Sequence, residues 1–367
     1  MIKTKKLFNF LKKNKINFFS GVPDSVLKNT KIYFEKLPST QHMVTSNEGS
    51  SIALCIGYHL STGNLPCAYM QNSGLGNAIN PLISIAHKKV YSIPLLLLIG
   101  WRGAPNLKDE PQHLAKGHIT RDILKLMGIK NFIINNNKDL KKIDTLKKYA
   151  IKKKRTVAIL IKNKKIENKN YSKDREKKSK FLRADFIKYF LNFVKADTKI
   201  ISTTGYTSRE LNEIRKNENK LSGEDFYMVG GMGHAAALGS IYAKFKKKKE
   251  VYILDGDGSM LMHLGALAVS TKNIKKKIKY ILFNNECHES VGKQKTYISN
   301  INLSLMAKSF GFQKYYEIKN KKNMKKIIKN ILINKKNVFI NVKIDPGSIR
   351  NLSRPNNLKT IKNNFLK

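Results

Sequence analysis

Short apolar runs alternate with stretches whose apolar positions recur every three or four residues, and the alternation starts twice along the chain. Residues 43–46, 67–70, 93–99 and 156–161 read as strands, and residues 50–60 and 78–87 carry helical spacing. A polar stretch, 163–180, then holds almost no large apolar side chain and cannot pack a core. After it the pattern resumes, with strands at 199–202, 226–229, 251–254, 278–283 and 338–342 and helices at 185–194, 234–245, 260–271 and 324–333. Such alternation predicts parallel sheets covered by helices. The expected fold is α/β, with two similar parallel-sheet domains at 1–162 and 181–347, a linker at 163–180 and a mobile polar tail at 348–367.

At 367 residues the chain is long enough for two sizeable cores, and its 41% hydrophobic content fits a globular protein. The net charge of +46, taken alone, points to nucleic acid or an anionic membrane. Only nine of the 71 basic residues are arginine, however, and the lysine runs at 152–165, 244–249 and 319–329 are not interleaved with aromatics as a base-stacking surface would be. They read as solvated faces, so neither nucleic acid nor membrane is expected as a partner. Three cysteines, Cys55, Cys67 and Cys287, stand in no metal-ligand spacing and fit reduced thiols in a cytoplasmic protein. Lysines interrupt the amphipathic start where a signal peptide would be apolar, and the greasy run 92–101 is far shorter than the roughly 20 residues of a membrane span.

Chemistry enters where two predicted strands end. Asp255-Gly-Asp257-Gly-Ser-Met260 follows one apolar run, and Phe283-Asn-Asn285 closes the next. With a crossover helix between them, Asp257 and Asn285 belong at the carboxyl edge of one sheet. Their hard oxygens suit Mg²⁺ or Ca²⁺ and leave room for phosphate oxygens and water. Gly258 and Ser259 open the helix, where backbone N–H groups favour phosphate. Two further loops follow strands, Thr203-Thr-Gly205 and the glycine-rich turn Val229-Gly-Gly-Met232-Gly-His-Ala. In the first half, Thr45-Ser-Asn-Glu48 opens an apolar helix. A first-turn glutamate has a plain explanation in the helix dipole.

Gly-Asp-Gly followed after 25 residues by Asn-Asn resembles the thiamin diphosphate signature. The resemblance implies Mg²⁺ held by Asp257, Asn285 and the backbone carbonyl of Cys287. It assigns Thr204, Gly205, Gly258 and Ser259 to the diphosphate, the Gly230 carbonyl to the pyrimidine amine, and Met232 to the wedge beneath the cofactor. Glu48 becomes the carboxyl that hydrogen-bonds a ring nitrogen of the aminopyrimidine. Further segments narrow the match: Gly21-Val-Pro-Asp-Ser25, Asn47-Glu-Gly-Ser50, Gln71-Asn-Ser-Gly-Leu-Gly-Asn77, Gly100-Trp-Arg-Gly103, Asp109-Glu-Pro-Gln-His113 and His288-Glu-Ser-Val-Gly292. Together they are similar to the phosphonopyruvate decarboxylase family, short thiamin diphosphate enzymes without a middle domain.

That family implies a pyrimidine-binding domain at 1–162 and a diphosphate-binding domain at 181–347. It also implies decarboxylation of a small 2-oxo acid, phosphonopyruvate, in phosphonate biosynthesis, by a homodimer or larger homo-oligomer with sites shared between subunits. Asp24, Ser25 and Arg102 become substrate-binding candidates, and His113 and His288 join Glu48 as catalytic ones. Plain readings stand beside them: Arg102 tied to Asp109 or Glu110 in a loop, Asp24 serving a local turn, and His113 solvated. His59 and His87, on helix faces, are structural. The chain departs from the family pattern near His118 and at Lys293 and Lys295. Sulfopyruvate decarboxylase is the neighbouring alternative, while an acetolactate-type carboligase would need a flavin domain for which 367 residues leave no room.

Overall fold

The computed structural model describes residues 1–167, 181–195, 198–217, 225–246, 250–272 and 278–366. The chain forms two compact units, Met1–Asp174 with Val291–Gln294, and Arg175–Ser290 with Lys295–Lys367. Most of the linker expected at 163–180 lies outside the described residues.

In the first unit, six strands lie in the order β2-β1-β3-β4-β6-β5. They are β1 (Phe19–Gly21), β2 (His42–Val44), β3 (Cys67–Gln71), β4 (Leu96–Trp101), β5 (Lys130–Ile133) and β6 (Val157–Lys162). Every pairing is parallel. Strand side chains alternate between faces, so Cys67, Tyr69, Leu96 and Leu98 join one core with Leu7, Leu11 and Leu146 from helices, and Ala68, Met70, Leu97 and Ile99 join another with Ile52, Cys55 and Leu124. Burial on both faces is why β3, β4 and β6 read as continuous apolar runs. Helix periodicity over 78–87 gives the helix Leu75–Pro81 and then a π-helical turn, Leu82–Ala86. Pro81 has no N–H to continue the regular ladder.

The second unit repeats the plan, with strands in the order β11-β12-β10-β9-β7-β8. These are β7 (Lys199–Ser202), β8 (Phe226–Tyr227), β9 (Val251–Gly256), β10 (Ile278–Asn284), β11 (Lys314–Ile318) and β12 (Val338–Lys343), again all parallel. Tyr252, Leu254, Ile281 and Phe283 face one core, and Ile253, Tyr280 and Leu282 face the other. Two expectations are corrected here. The crossover expected as one helix at 260–271 is two, Asp257–Met262 and Ala266–Lys272. His263 leaves helical geometry to stack its ring on His234, with centroids 4.5 Å apart, and Gly265 is a poor helix former.

The second correction concerns the tail. Residues 348–367, expected to be mobile, contain the helix Leu358–Leu366, whose Phe365 is buried against Tyr242 and Phe226 at ring separations of 4.5 and 5.3 Å. The Lys199 ammonium, itself fully buried, donates to the Phe365 carbonyl at 3.2 Å. Leu358, Ile361 and Phe365 share one helical face, a spacing that the surrounding Asn and Lys residues obscure. Among the described residues no helix is long and apolar enough to cross a membrane.

Candidate active site

Glu48 is the first residue of the helix Glu48–Thr62, entered through Asn47, whose side chain accepts from Gly49 N at 2.7 Å. That cap fixes the direction in which the chain enters the helix. Glu48 is only 5% exposed. Its Oε2 accepts from Asn77 Nδ2 at 2.7 Å, and a side chain at Gly74 would put its Cβ 2.2 Å from Oε1. Glycine at 74 therefore leaves the space that the carboxyl fills. Burial raises the Glu48 pKa, only partly opposed by Asn77, its own backbone amide and the Lys116 charge.

The carboxyl ends of β1, β3 and β4 collect the residues expected to meet substrate. Asp24, 2% exposed, accepts from Val26 N at 3.0 Å and Leu27 N at 3.2 Å, and burial pushes its pKa up to about 6. It thus serves the turn that presents Ser25. Ser25 Oγ donates to Gln71 Oε1 and accepts from Arg102 Nη1, both at 3.1 Å. Arg102 is bidentate to Asp109, through Nε at 2.8 Å and through Nη2, while Asp109 also accepts from Gly103 N and Glu110 N at 2.8 Å. Tied in this way, Arg102 still keeps two of its five N–H donors. His113 lies in the first turn of the helix Pro111–Leu126 and is buried, so it is not a solvated loop residue.

In the second unit, β9 and β10 are neighbours, and Asp257 and Asn285 follow their carboxyl ends as expected. Asp257 is 4% exposed and accepts from Thr296 Oγ1 at 2.8 Å. Burial pushes its pKa up to about 6, with no cationic side chain among the groups that oppose it. Asn285 Oδ1 accepts from Cys287 N at 3.2 Å, and the Cys287 carbonyl accepts from Glu289 N at 2.9 Å, using one of that oxygen's two lone pairs. Ser259 Oγ bonds Thr203 Oγ1 at 2.8 Å and accepts from Gly233 N at 3.0 Å, so one hydroxyl ties two loops to the start of the helix Asp257–Met262. Thr204 and Gly205, the latter at φ +98°, continue the Thr203 loop, and Gly230 and the half-buried Met232 lie in the turn that Ser259 holds. His288 packs on Gly258, where a Cβ would lie 2.7 Å from its ring. Burial lowers its pKa to about 4, so its imidazole is neutral at ordinary pH.

Several partners escaped sequence reasoning. Asp255, fully buried, accepts from Tyr280 Oη at 2.7 Å and so locks β9 to β10. Thr296, Asn77 and Gly74 each hold a candidate residue, and all but Thr296 stand inside quoted motifs, where a polar residue or glycine beside a functional one is the available signal, whereas the Asp109 partner of Arg102 was one of the two carboxylates expected. Among the described residues no three His, Cys, Asp or Glu side chains form a metal cluster.

Residues 3–126 match the family described as thiamine pyrophosphate enzyme, N-terminal TPP binding domain, and residues 203–342 match its C-terminal TPP binding domain. A phosphonopyruvate decarboxylase from Streptomyces viridochromogenes is 29% identical over 355 residues, 92% of this chain and 87% of that one. A sulfopyruvate decarboxylase from Methanosarcina acetivorans is 26% identical over 374 residues, 96% of this chain and 92% of its own length. The alpha subunit of sulfopyruvate decarboxylase from Methanocaldococcus jannaschii is 32% identical over 127 residues, 34% of this chain and 72% of that subunit.

Proposed function

The chain belongs to the thiamine pyrophosphate enzyme family, and from that premise we propose that it decarboxylates 3-phosphonopyruvate to phosphonoacetaldehyde and carbon dioxide, in the cytoplasm, as a step of phosphonate biosynthesis. The observation that carries the reading is a buried Glu48, its pKa raised by that burial, at a helix start in a chain that also sets Asp257 and Asn285 at one sheet edge. Similarity to a phosphonopyruvate decarboxylase over 92% of the length supports the substrate.

The residues present fit both groups that the reaction needs. Asp257 is a buried carboxyl with no ion-pair partner among the described residues, the situation a divalent cation relieves. Mg²⁺ would be held by Asp257, Asn285 and the Cys287 carbonyl, and the diphosphate by Thr204, Gly205, Gly258 and Ser259. When bound, thiamin diphosphate supplies an electron sink for the pair left on the keto carbon as carbon dioxide departs. Glu48 holds and shares a proton with the aminopyrimidine ring, a task that its raised pKa suits. Gly230 and Met232 orient the same ring, and orientation of this kind supplies much of a barrier reduction.

Arg102 binds the phosphonate through the N–H donors that Asp109 and Ser25 leave over, while Ser25 holds the guanidinium and would donate to the phosphonate by turning its one O–H from Gln71, with Asp24 fixing the turn. His288, neutral, serves as a hydrogen-bond partner, and His113 relays a proton. One proton is taken up where the carboxylate leaves, so the products balance the substrate. The working enzyme is a homodimer or larger homo-oligomer whose sites draw residues from two subunits.

The test is a rate comparison on phosphonopyruvate, sulfopyruvate and pyruvate, with and without thiamin diphosphate and Mg²⁺. Phosphonopyruvate should be the preferred substrate and both additions should be required. Faster turnover of sulfopyruvate would transfer the assignment to the sulfonate, and turnover without thiamin diphosphate would sink the mechanism.

A further inference from the structure

A buried chain of charges ends on Asn285. Asn285 Nδ2 donates to Glu289 Oε2 at 3.1 Å, and the same oxygen accepts from Arg183 Nη2 at 3.3 Å. Arg183 Nε in turn donates to Glu210 Oε2 at 2.7 Å, and Glu210 Oε1 accepts from Ile349 N at 3.1 Å. The side chains of Arg183, Glu210 and Glu289 are 6%, 0% and 8% exposed. The Tyr206 ring lies 5.8 Å from the guanidinium, closing another side of it.

Two physical consequences follow. The ends of an amide have nearly the same shape, but a carboxylate only accepts hydrogen bonds, so Glu289 selects the nitrogen of Asn285 and turns Oδ1 away from itself, in agreement with the weaker 3.2 Å contact by which Cys287 N donates to that oxygen. That oxygen is the atom a hard cation needs. The charge balance is also uneven. Arg183 and Glu210 would make a complete buried pair by themselves, yet Glu289 adds a second carboxylate to the one guanidinium. Buried charge left uncompensated is costly. A divalent cation at Asn285 and Asp257 would supply the missing positive charge.

We propose that Glu289 and Arg183 are positioning residues for the divalent cation: Glu289, together with the Cys287 N–H, fixes which end of the Asn285 amide faces the metal, and Arg183, anchored on Glu210, fixes Glu289. The proposal rests on Asn285 being a metal ligand. Partners behind metal ligands commonly control affinity by about 10- to 100-fold.

The experiment titrates full-length protein, saturated with thiamin diphosphate, with Mn²⁺ and reads free Mn²⁺ by electron paramagnetic resonance. Glu289→Gln should bind Mn²⁺ at least about 10-fold more weakly than the parent while keeping its circular dichroism and melting profile. Parental affinity in that variant would overturn the proposal, whereas a parent that binds no Mn²⁺ would overturn the ligand assignment beneath it. A purely structural Glu289 predicts that its effect and that of Asn285→Asp simply add. The positioning role predicts otherwise, because Asn285→Asp alone sets two carboxylates face to face, while in the double variant the amide introduced at position 289 can donate to the new carboxylate. The double variant should therefore bind more tightly than Glu289→Gln alone, and additive losses would count against the proposal. Should Glu289→Gln fail to fold, Arg183→Lys, which keeps the charge but shortens the reach to Glu289, should still weaken Mn²⁺, and unchanged binding there would overturn the idea.

Discussion

A single methyl group at position 74 tests whether Glu48 is held where its chemistry requires. Gly74 ends the short turn Asn72–Gly74, and an alanine Cβ there would stand 2.2 Å from Glu48 Oε1, 2.4 Å from Cδ and 2.5 Å from Cγ, against an ordinary contact of at least 3.4 Å. The carboxyl must retreat by about 1.2 Å, and the 2.7 Å bond from Asn77 cannot survive the move unaltered. Misplacing a catalytic group by about 1 Å costs on the order of 100-fold in rate. Overpacking itself costs about 1–3 kcal/mol, and a displaced Glu48 recovers hydration that burial denies it, so the fold should survive. Gly74→Ala is therefore expected to lose about 100-fold in kcat/KM at saturating thiamin diphosphate and Mg²⁺, with a melting temperature lower by only a few degrees. Gly76→Ala is the control: nothing lies within 4 Å of its Cβ, and it sits in the helix Leu75–Pro81, so it should gain about 0.5–1 kcal/mol. A folded Gly74→Ala enzyme with parental kcat/KM would refute either the packing of Glu48 on Gly74 or the role of Glu48.

Dialysis against a chelator should abolish decarboxylation, and recovery should need Mg²⁺ and thiamin diphosphate together; recovery with either alone would contradict a cation that bridges Asp257 and Asn285 to a diphosphate. Asp24 carries a pH signature: with its folded pKa at about 6 against 3.8 when free, it favours the folded state at low pH, and that contribution fades as pH rises through about 6. The stability of Asp24→Asn relative to the parent should thus rise by up to about 3 kcal/mol between pH 4 and pH 7, on top of a pH-independent loss because the amide has only one oxygen for the Val26 and Leu27 N–H groups; parallel stability curves in denaturant titrations would count against it. Phe365→Ala should cost about 3 kcal/mol or more in chemical unfolding of the second unit, because Phe365 is 6% exposed against Tyr242 and Phe226. A mobile tail would show no cost at all.

The central strands were legible because burial on both faces makes them long apolar runs, as in Leu96–Trp101 and Ile278–Asn284. Three strands were not. Lys130–Ile133 and Lys314–Ile318, each at a sheet edge, are half exposed, and Phe19–Gly21, inside its sheet, is three residues long, so none shows a run or a clean alternation. The tail helix hid for a related reason, since one buried aromatic among lysines and asparagines is a weak signal until its receptor surface is known. The candidate site divides the same way. Asp257 and Asn285 are set by chain geometry, because a residue that follows a parallel strand is bound to stand at the carboxyl edge. Arg102 depended on a partner 7 residues away, Asp109, and spacing alone left open whether that guanidinium faced a carboxylate or a substrate. The structure shows the first and leaves two donors for the second.

Net charge is the most misleading property of this chain, and burial explains why. Exposed lysines act through water, where salt screens them within about 8–10 Å. Around the second sheet's carboxyl edge the balance reverses: Glu210 and Glu289 share the guanidinium of Arg183, and Asp255 and Asp257 are buried on Tyr280 and Thr296 hydroxyls, in a chain whose formal charge is +46. Charges withdrawn from water are screened far less than those at the surface. A cation bound at this edge would favour the ionised form of carboxyls that burial by itself pushes toward the neutral one. The lysine-rich surface and the carboxyl-rich edge would also serve different ligands, since the first would attract an anionic 2-oxo acid at long range and the second would hold the proposed cation. Raising the ionic strength acts on the first far more than on the second, so capture of substrate and retention of the cation are separable properties of the same fold.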